Sequence, residues 1–511
     1  MNAIHLNLLN QYATELPDLC VATSPQPATA PTWLHFNQAL ALELGLDANH
    51  LSGAAGLALF SGQATPIGST PVAQAYAGHQ FGGYSPRLGD GRALLLGEWG
   101  TPDQKIVDIA LKGSGRTVFA RGGDGKAAVG PMLRELIISE AMHALGIPTT
   151  RTLAVVATGD QVLRQQVLPG AVMCRVADSH IRVGTFEYAA FHQPDRLNNA
   201  PSYQTLHKLL QYTLRRHHPE ALAAENPALS LLKWAIDRQA YLISRWMGVG
   251  FIHGVMNTDN MALSGQTIDY GPCAFMEAHH PDAVFSSIDH TGRYAYGNQP
   301  RIAQWNLARL AESLLPLIDT HSDRAVELAT DALHGFDKCY ETYWLQEFQG
   351  KLGLRALPST SDKALIDDYL VLLQTYEVDH TLGFRLLSQA LRENTQPLLA
   401  QFGNGAQALE IWMQKWKARL VLEHPLETAR AFDIAAKMDC INPRVIPRNH
   451  RVEEALAAAS EDGDLRTLEK LLTHLQQPYA SDNHPGEIDD DWMTRPATSG
   501  FTQKYQTFCG T

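Results

Sequence analysis

The chain has 511 residues, of which 45% are hydrophobic and 18% are charged, and its formal net charge is −12. This composition is typical of a globular protein, and the length favours two or three packed units over a single core. The acidic balance argues against a nucleic-acid partner, although a local group of basic residues remains compatible with phosphate binding.

The sequence has no feature of a secreted or membrane-spanning protein. No charged start is followed by an apolar run, and no window reaches the roughly 18 consecutive apolar residues of a membrane span. The six cysteines are scattered, without a C-x-x-C pair or a zinc-ligand spacing. We therefore expect a cytoplasmic protein with reduced thiols and no membrane partner.

Residues 1–75 mix short helical pieces with Pro- and Ala-rich connections, and they predict an N-terminal extension. From residue 76 the pattern changes to Gly-rich turns and short β-type runs. The run IVDIALK at 106–112 alternates between two faces, and further runs cover 152–157 and 167–177. Pro131 is expected to open a helix between these strands. Several strands with a helix after the third predict a β-rich small lobe over 76–190.

The pattern becomes largely helical from about residue 200. A long amphipathic helix is expected at 229–248, and further helices are expected over roughly 300–350 and 363–420. These predict a helical large lobe over 191–435, followed by a C-terminal extension over 436–511. The whole pattern indicates an α+β, two-lobed fold like that of a protein kinase, with extensions at both ends.

A glycine turn and a lysine follow one another at the spacing of a nucleotide-binding lobe. The turn Gly89-Asp90-Gly91-Arg92 precedes an apolar run, and Lys112 ends the next predicted strand. A lysine at that place directs a point charge at phosphates under the glycine turn. The alternatives are a plain hairpin turn and a solvated lysine. We favour a nucleotide site that includes Gly89, Gly91, Arg92 and Lys112.

The predicted helix after Pro131 carries two carboxylates that are candidates to pair with this lysine. Glu140 lies on the apolar face and Glu135 at its edge, so periodicity does not choose between them. The preceding loop, residues 113–130, holds six glycines and three cations. It is compatible with a flexible insertion or with a packed phosphate-binding nest.

The stretch 249–274 contains the most informative motif. It reads HGVMNTDN from His253 to Asn260, then an apolar segment predicted to form a hairpin, then DYG from Asp269. Protein kinases supply their catalytic oxygens with H-R-D-x-x-x-x-N followed by D-F-G. Val255 stands here where a kinase has its catalytic Asp.

Two oxygen ligands suited to Mg²⁺ are thus present, Asn260 and Asp269, while the usual base is missing. Asp259, next to Asn260, is the candidate replacement. The alternative for a single Asp in a loop is a turn or capping residue. His253 is better explained as a buried structural histidine than as a proton carrier.

These segments together resemble the selenoprotein O family, from about Tyr76 to the C-terminus. Members of that family are kinase-like proteins that transfer AMP, not phosphate, to protein hydroxyls. The resemblance implies ATP as co-substrate, Mg²⁺ or Mn²⁺ as the metal, and protein substrates with Ser, Thr or Tyr acceptors.

Several site residues are implied by this resemblance alone. The family's lysine pairs with the Glu of an R-E dipeptide, here Glu135, and an Asp-Gly in the loop contacts nucleotide, here Asp124-Gly125. Arg175 and Arg182 match two phosphate ligands. The family also binds ATP reversed relative to a kinase, with the β- and γ-phosphates deep and the α-phosphorus facing the acceptor.

The expected function is therefore protein adenylyltransfer, and two alternatives remain. An ordinary phosphotransferase shares the H-G-x-x-x-x-x-N pattern, but Val255 counts against it. A non-catalytic nucleotide-binding pseudokinase is the other, and the presence of Lys112, Asn260 and Asp269 counts against that.

Cys509 matches the place where family members carry selenocysteine or cysteine, usually followed by two serines; Gly510-Thr511 follow here. We expect Cys273, just after the DYG motif, as a possible redox partner of this thiol. The alternative is an unpaired tail thiol. Arg215-Arg216-His217-His218 and His279-His280 are expected to be solvated helix ends or loop residues.

Overall fold

The computed structural model describes residues 6–192, 203–354, 360–423, 428–479 and 490–508. Twelve strands are present in these ranges: β1 Cys20–Ala22, β2 Thr32–Phe36, β3 Val72–Gln74, β4 Gly78–Gln80, β5 Gly83–Ser85, β6 Ala93–Gly100, β7 Ile106–Lys112, β8 Ala127–Ala128, β9 Arg151–Leu163, β10 Val167–Ala177, β11 Phe251–Ile252 and β12 Ala274–Phe275. Eight of them form one antiparallel sheet in the order β1-β3-β6-β7-β10-β9-β2, with β8 paired to β10. The predicted mixture of strands and helices is confirmed, and the structure adds that the sheet is antiparallel.

The helices of the same ranges are α1 Gln11–Glu15, α2 Gln38–Glu43, α3 Ala48–Leu51, α4 Ala54–Phe60, α5 Val129–Ala144, α6 Val183–Phe191, α7 Gln204–His217, α8 Pro227–Val249, α9 Gln299–Ile318, α10 Ser322–Lys351, α11 Thr360–Thr375, α12 His380–Leu391, α13 Gln396–Phe402, α14 Ala406–Glu423, α15 Thr428–Asp439, α16 Asn449–Ala457, α17 Arg466–Leu475, α18 Asp490–Thr494 and α19 Ser499–Thr502. Within the described ranges, none combines the length and the apolar character that crossing a bilayer requires.

The segment before residue 76 is part of the sheet. Its strand β1 pairs with β3, and β2 pairs with β9, which lies more than a hundred residues later. The division predicted at residue 75 therefore separates strands of a single sheet. Local periodicity gives no sign of such long-range pairing, because it reports only which face of a strand is apolar.

The alternation of β7 places its two faces in different surroundings, as predicted. Val107, Ile109 and Leu111 pack with the N-terminal helices in a small hydrophobic core. On the opposite face Lys112 is directed towards α5, whose apolar residues belong to the main core. The sheet thus lies between the N-terminal helices and α5, and Lys112 is on the face that is turned towards α5.

Helix α5 begins at Val129, two residues before the predicted start, so that Pro131 lies in the first turn where a missing N–H is tolerated. The C-terminal helices α16 and α17 return to pack against α5. Further along the chain, α8 packs against α9 and α10.

The hairpin predicted between Asn260 and Asp269 is wrong. Ala262 instead forms a single bridge with Arg182, and Thr267 forms one with Thr149. Residues 261–268 therefore pair with the residues that precede β9 and α6. The ladder between β11 and β12 closes the loop that carries the motif.

Candidate active site

The motif loop is fixed at its base by His253. This side chain is buried, its Nε2–H donates to the carbonyl of Ile268 at 2.9 Å, and its backbone N–H donates to Oε1 of Gln299 at 3.0 Å. Burial lowers the pKa of the imidazole, which keeps it neutral. His253 therefore connects the two ends of the loop and brings Asp269 back beside Asp259.

Asp269 lies at the centre of a group of buried charges that come from three different strands and helices. Its Oδ1 accepts from Lys112 Nζ and Arg175 Nη2, both at 2.7 Å, and its Oδ2 accepts from Arg182 Nη1 at 2.7 Å. Glu135 completes the group by pairing with Lys112 and with Arg175, the latter at 2.7 Å. The cluster Lys112–Glu135–Arg175–Arg182–Asp269 is called the charge cluster below.

The charge cluster holds its carboxylates ionised. Burial opposes ionisation of Asp269, but Lys112, Arg175 and Arg182 hold the pKa of its carboxyl well below the usual range. Glu135 has its pKa lowered in the same way by Lys112 and Arg175 against the effect of burial. Three cations facing two carboxylates leave an excess of positive charge, which suits an incoming polyphosphate.

The structure distinguishes the two carboxylates of α5 by position. Glu135 faces the cleft and pairs with Lys112. Glu140 lies five residues further along the helix, where it accepts hydrogen bonds from Arg151 at 2.8 Å and from Asn37 at 2.9 Å. Glu140 therefore joins α5 to the N-terminal segment and takes no part in the cleft.

Within the described residues Asp259 forms no ion pair, whereas Glu135 and Asp269 of the same cleft both pair with cations. Asp259 lies in a short 3₁₀ turn, Thr258–Asn260, and is only 9% exposed. Its Oδ2 accepts from Gln80 at 3.3 Å, whereas its Oδ1 is buried without a hydrogen-bond partner. Burial raises the pKa of this carboxyl to about 6. Arg182 approaches the same residue but donates to its backbone carbonyl.

Asn260 lies between the two carboxylates and has a fixed orientation. Its Nδ2 donates to the carbonyl of Val255 at 2.9 Å, which leaves its amide oxygen as the free acceptor of the side chain. Val255 itself is buried and only 3% exposed. The residue at the place of a kinase base thus contributes packing and a backbone carbonyl.

The glycine turn and the loop 113–130 pack closely on one another. Gly89 has φ +72°, and a Cβ there would lie 2.3 Å from the ring of Phe119. Gly125 has φ +69°, and a Cβ there would lie 2.2 Å from the carbonyl of Gly115. The loop is therefore an ordered wall of the cleft and not a loose insertion. Gly91 and Arg92 also line the cleft.

Asp124 lines the cleft but is held by a residue that the sequence did not indicate. Arg164, in the turn after β9, donates to both of its carboxylate oxygens at 2.9 and 3.1 Å. Lys126 follows it and pairs with Asp160 at 3.1 Å. The rim of the cleft is thus fixed by ion pairs across the β9–β10 turn.

The β4–β5 hairpin is a second element that sequence reasoning missed. The N–H of His79 donates to Thr258 Oγ1 at 2.7 Å, and the N–H of Phe81 donates to Asn257 Oδ1 at 3.1 Å. The ring of His79 and the hydroxyl of Thr258 both bind Glu187, which is fully buried. The adjacent glycines 82 and 83 are a turn signal that could have indicated the hairpin.

The cleft between these elements has a volume of about 450 Å³ and is lined by the glycine turn, loop 113–130, the charge cluster, Asp259 and Asn260. In the described ranges no three His, Cys, Asp or Glu side chains converge as a self-sufficient metal site. A cation here needs oxygens from Asn260, Asp269 and a bound phosphate. Hard oxygen donors beside the unpartnered Oδ1 of Asp259 fit Mg²⁺ chemically.

Cys273 is fully buried, its Sγ lies 3.1 Å from the carbonyl of Tyr270, and burial raises the pKa of its thiol to about 12. The predicted partner, Cys509, lies outside the described residues. Thr507 nevertheless reaches this region, since its Oγ1 donates to the carbonyl of Pro272 at 2.6 Å and its N–H donates to Phe285 O at 2.8 Å.

The expectation of solvated basic residues is wrong at three positions. Arg216 is buried and pairs with Asp108 at 2.6 Å. Burial lowers the pKa of His217 to about 3, and that of His279 to about 4. His279 is stacked on His380 at 5.3 Å between ring centroids. Contacts with distant segments withdraw these side chains from solvent: Arg216 with β7, His217 with Ser179 and His279 with α12.

Comparisons with known proteins agree over nearly the whole chain. The family model described as "Protein adenylyltransferase SelO" matches residues 2–476. A protein nucleotidyltransferase YdiU from Chromobacterium violaceum is 53% identical over 498 residues, covering 97% of this chain and 100% of the relative. Proteins of the same name from Mycolicibacterium smegmatis and Brevibacillus brevis are 50% and 51% identical, each covering 99% of this chain and 98% of the relative.

Proposed function

The chain belongs to the SelO family of protein adenylyltransferases, and on this premise we propose how its cleft transfers AMP from ATP to a hydroxyl of a target protein. It is a nucleotidyltransferase, and its acceptors are Ser, Thr or Tyr side chains. One observation carries the proposal. A carboxylate held by three buried cations, Asp269, lies beside a second carboxylate, Asp259, that keeps one oxygen without a partner.

Asp259 acts as the general base. Its carboxylate takes the proton of the acceptor hydroxyl while the hydroxyl oxygen attacks the α-phosphorus of ATP. The bond between the α-phosphorus and the bridging oxygen of pyrophosphate breaks, and pyrophosphate leaves with the electron pair. Gln80 orients the carboxylate, and Val255 provides no competing base.

The cations of the charge cluster bind the leaving group. Lys112, Arg175 and Arg182 are buried, with side chains 5–9% exposed, so each retains a strong field towards a phosphate. With the β- and γ-phosphates placed deep against these cations, the α-phosphorus faces Asp259. Gly89, Gly91, Arg92 and the pair Asp124-Gly125 bind the outer part of the nucleotide.

Asn260 and Asp269 would hold the Mg²⁺ that accompanies ATP, and Mn²⁺ would suit the same oxygens. Such an ion would neutralise phosphate charge and favour departure of pyrophosphate. Asp269 pairs with Lys112, Arg175 and Arg182, and these cations are also placed to bind the phosphates.

The division of the chain follows the two-lobed arrangement of a protein kinase. The sheet with α5 and the Lys112–Glu135 pair corresponds to the small lobe, proposed over 76–190. The helices from α7 onwards, with the motif loop, correspond to the large lobe over 191–435. Residues before 76 contribute strands to the small-lobe sheet, and the range 436–511 is proposed as a C-terminal extension on this frame. We place the reaction in the cytoplasm, with no role for nucleic acid or membrane.

ATP labelled at the α-phosphate or at the γ-phosphate separates this reaction from that of a kinase. We expect label on protein from α-labelled ATP only, with an intact-mass gain of one AMP per acceptor. The reason is that the cations hold the β- and γ-phosphates as the leaving group. Transfer of γ-label would identify a phosphotransferase, and binding without any transfer would identify a non-catalytic pseudokinase.

Cys273 and Cys509 are proposed as a redox pair, supported by the contact between Thr507 and Pro272. Oxidation to a disulfide would fix the C-terminal segment against the loop that follows Asp269. We expect a reductant to raise the activity of air-oxidised enzyme, and C509S to remove this response. Non-reducing peptide mapping checks the pairing directly, with the exposed Cys440→Ser as control. A map without a Cys273–Cys509 peptide would leave Cys509 as an unpaired thiol.

A further inference from the structure

A second cavity adjoins the nucleotide cleft at the tip of the β4–β5 hairpin. Its volume is about 740 Å³, and residues of α9 and α10 form most of its lining. Phe81, in the turn between the two strands, lines both this cavity and the cleft. Phe81 is 39% exposed. Its accessible aromatic ring therefore lies between the second cavity and the nucleotide cleft.

This wall is connected directly to the proposed base. Asn257 Oδ1 accepts from the N–H of Phe81 at 3.1 Å and from the hydroxyl of Tyr294 at 2.6 Å. Asn257 lies two residues before Asp259, which accepts from Gln80 of the same hairpin. A polypeptide lying in the second cavity would therefore pass within reach of the catalytic carboxylate.

The cavity is cationic in an acidic protein. Arg293 lies over the rings of Trp305 and Tyr294, at 4.8 and 5.7 Å from their centroids, and Arg301 projects from α9 as an exposed side chain. Within the described ranges neither guanidinium forms an ion pair, and the lining contains no Asp or Glu. The chain as a whole carries a formal charge of −12, so the positive charge of Arg293 and Arg301 is confined to this part of the surface.

We propose that this cavity binds the segment of the protein substrate next to the acceptor hydroxyl, and that Arg293 and Arg301 select an acidic side chain in that segment. The inference rests on the proposed function. A guanidinium held over aromatic rings, as Arg293 is, is preorganised for a carboxylate. The apolar surfaces of Trp305 and Ile302 suit the carbon chain of a Glu.

The test uses binding, so that it does not depend on turnover. A short fluorescent peptide with a central Tyr is flanked either by Glu or by the isosteric Gln, and its anisotropy is followed on addition of the full-length enzyme. We expect the Glu peptide to bind roughly threefold to tenfold more tightly than the Gln peptide, with the difference shrinking as salt rises. R293Q and R301Q should each reduce this preference.

Arg301 is exposed, so R301Q is expected to fold normally even if R293Q does not. The matched control is R324Q, an exposed arginine at the start of α10 outside the cavity, which should keep the full preference. R301E should reverse the preference towards a Lys-flanked peptide. An unchanged Glu preference in R301Q would overturn the proposal.

A different result would assign the cavity to the nucleotide. If R293Q and R301Q raise the Kd for ATP and leave peptide binding unchanged, the cavity holds part of ATP and the acceptor proposal is wrong. Selective peptide binding without transfer from α-labelled ATP would instead contradict the proposed function while supporting the acceptor site.

Discussion

Replacement of Asp259 by Asn is expected to lower single-turnover AMP transfer by roughly 10²–10⁴-fold while leaving the Kd for ATP nearly unchanged. The reason is that the Asp259 side chain accepts a hydrogen bond from Gln80 and, within the described residues, contributes no ion pair to the charge cluster. Asn keeps the size and the acceptor oxygen for Gln80 but removes the base. Rapid-quench measurement of AMP transfer, together with calorimetric titration of ATP and Mg²⁺, checks both halves of the expectation.

The matched control is D282N, which changes an exposed loop carboxylate in the same part of the chain. It should retain full turnover. If D259N instead weakens binding of the ATP–Mg²⁺ complex as strongly as it slows transfer, then Asp259 is a metal ligand and the base lies elsewhere.

Replacement of Asp269 by Asn is expected to abolish both AMP transfer and the dependence of ATP binding on Mg²⁺. The charged metal ligand is lost, and Arg182 loses its carboxylate partner in a buried site. Removing one partner of a buried ion pair costs about 3 kcal/mol, so the free energy of unfolding should also fall. Titration of ATP at varied Mg²⁺, together with urea unfolding, measures the two effects separately.

D108N separates the metal effect from the general cost of breaking a buried pair. Asp108 lies on the same strand as Lys112, is 1% exposed and pairs with Arg216 at 2.6 Å, but it does not line the cleft. It should lose comparable stability and keep Mg²⁺-dependent ATP binding. If D269N resembles D108N in both measurements, the role of Asp269 is structural only.

Local sequence pattern predicted the elements that carry the site. The alternation of 106–112 placed Lys112 on the face opposite the apolar residues, and the amphipathic run at 229–248 predicted α8, which the structure has as Pro227–Val249. Patterns of this kind are reliable because burial of one face of a strand or helix requires apolar residues at a regular spacing, and that spacing can be read from the sequence.

Residue spacing alone did not decide which side chains meet. Glu135 and Glu140 are five residues apart on one helix, so both were candidates for Lys112 until the packing of α5 was known. Arg175 and Arg182 are compatible with a solvated surface when considered singly. Their burial becomes visible only when β10, α6 and the motif loop converge on Asp269.

The sequence by itself determined the types of group available: a lysine for the predicted cleft, two candidate oxygen ligands for a metal, a candidate replacement for the missing base and an excess of cations in the small lobe. Only the tertiary structure decided the pairing of Lys112 with Glu135, the contact of the β4–β5 hairpin with Asp259, and the inclusion of N-terminal strands in the sheet. The physical reason is that the chemical character of a side chain can be read from each residue alone. Which side chains pair depends on contacts between segments far apart in the chain, and local hydrophobic periodicity carries no information about those contacts.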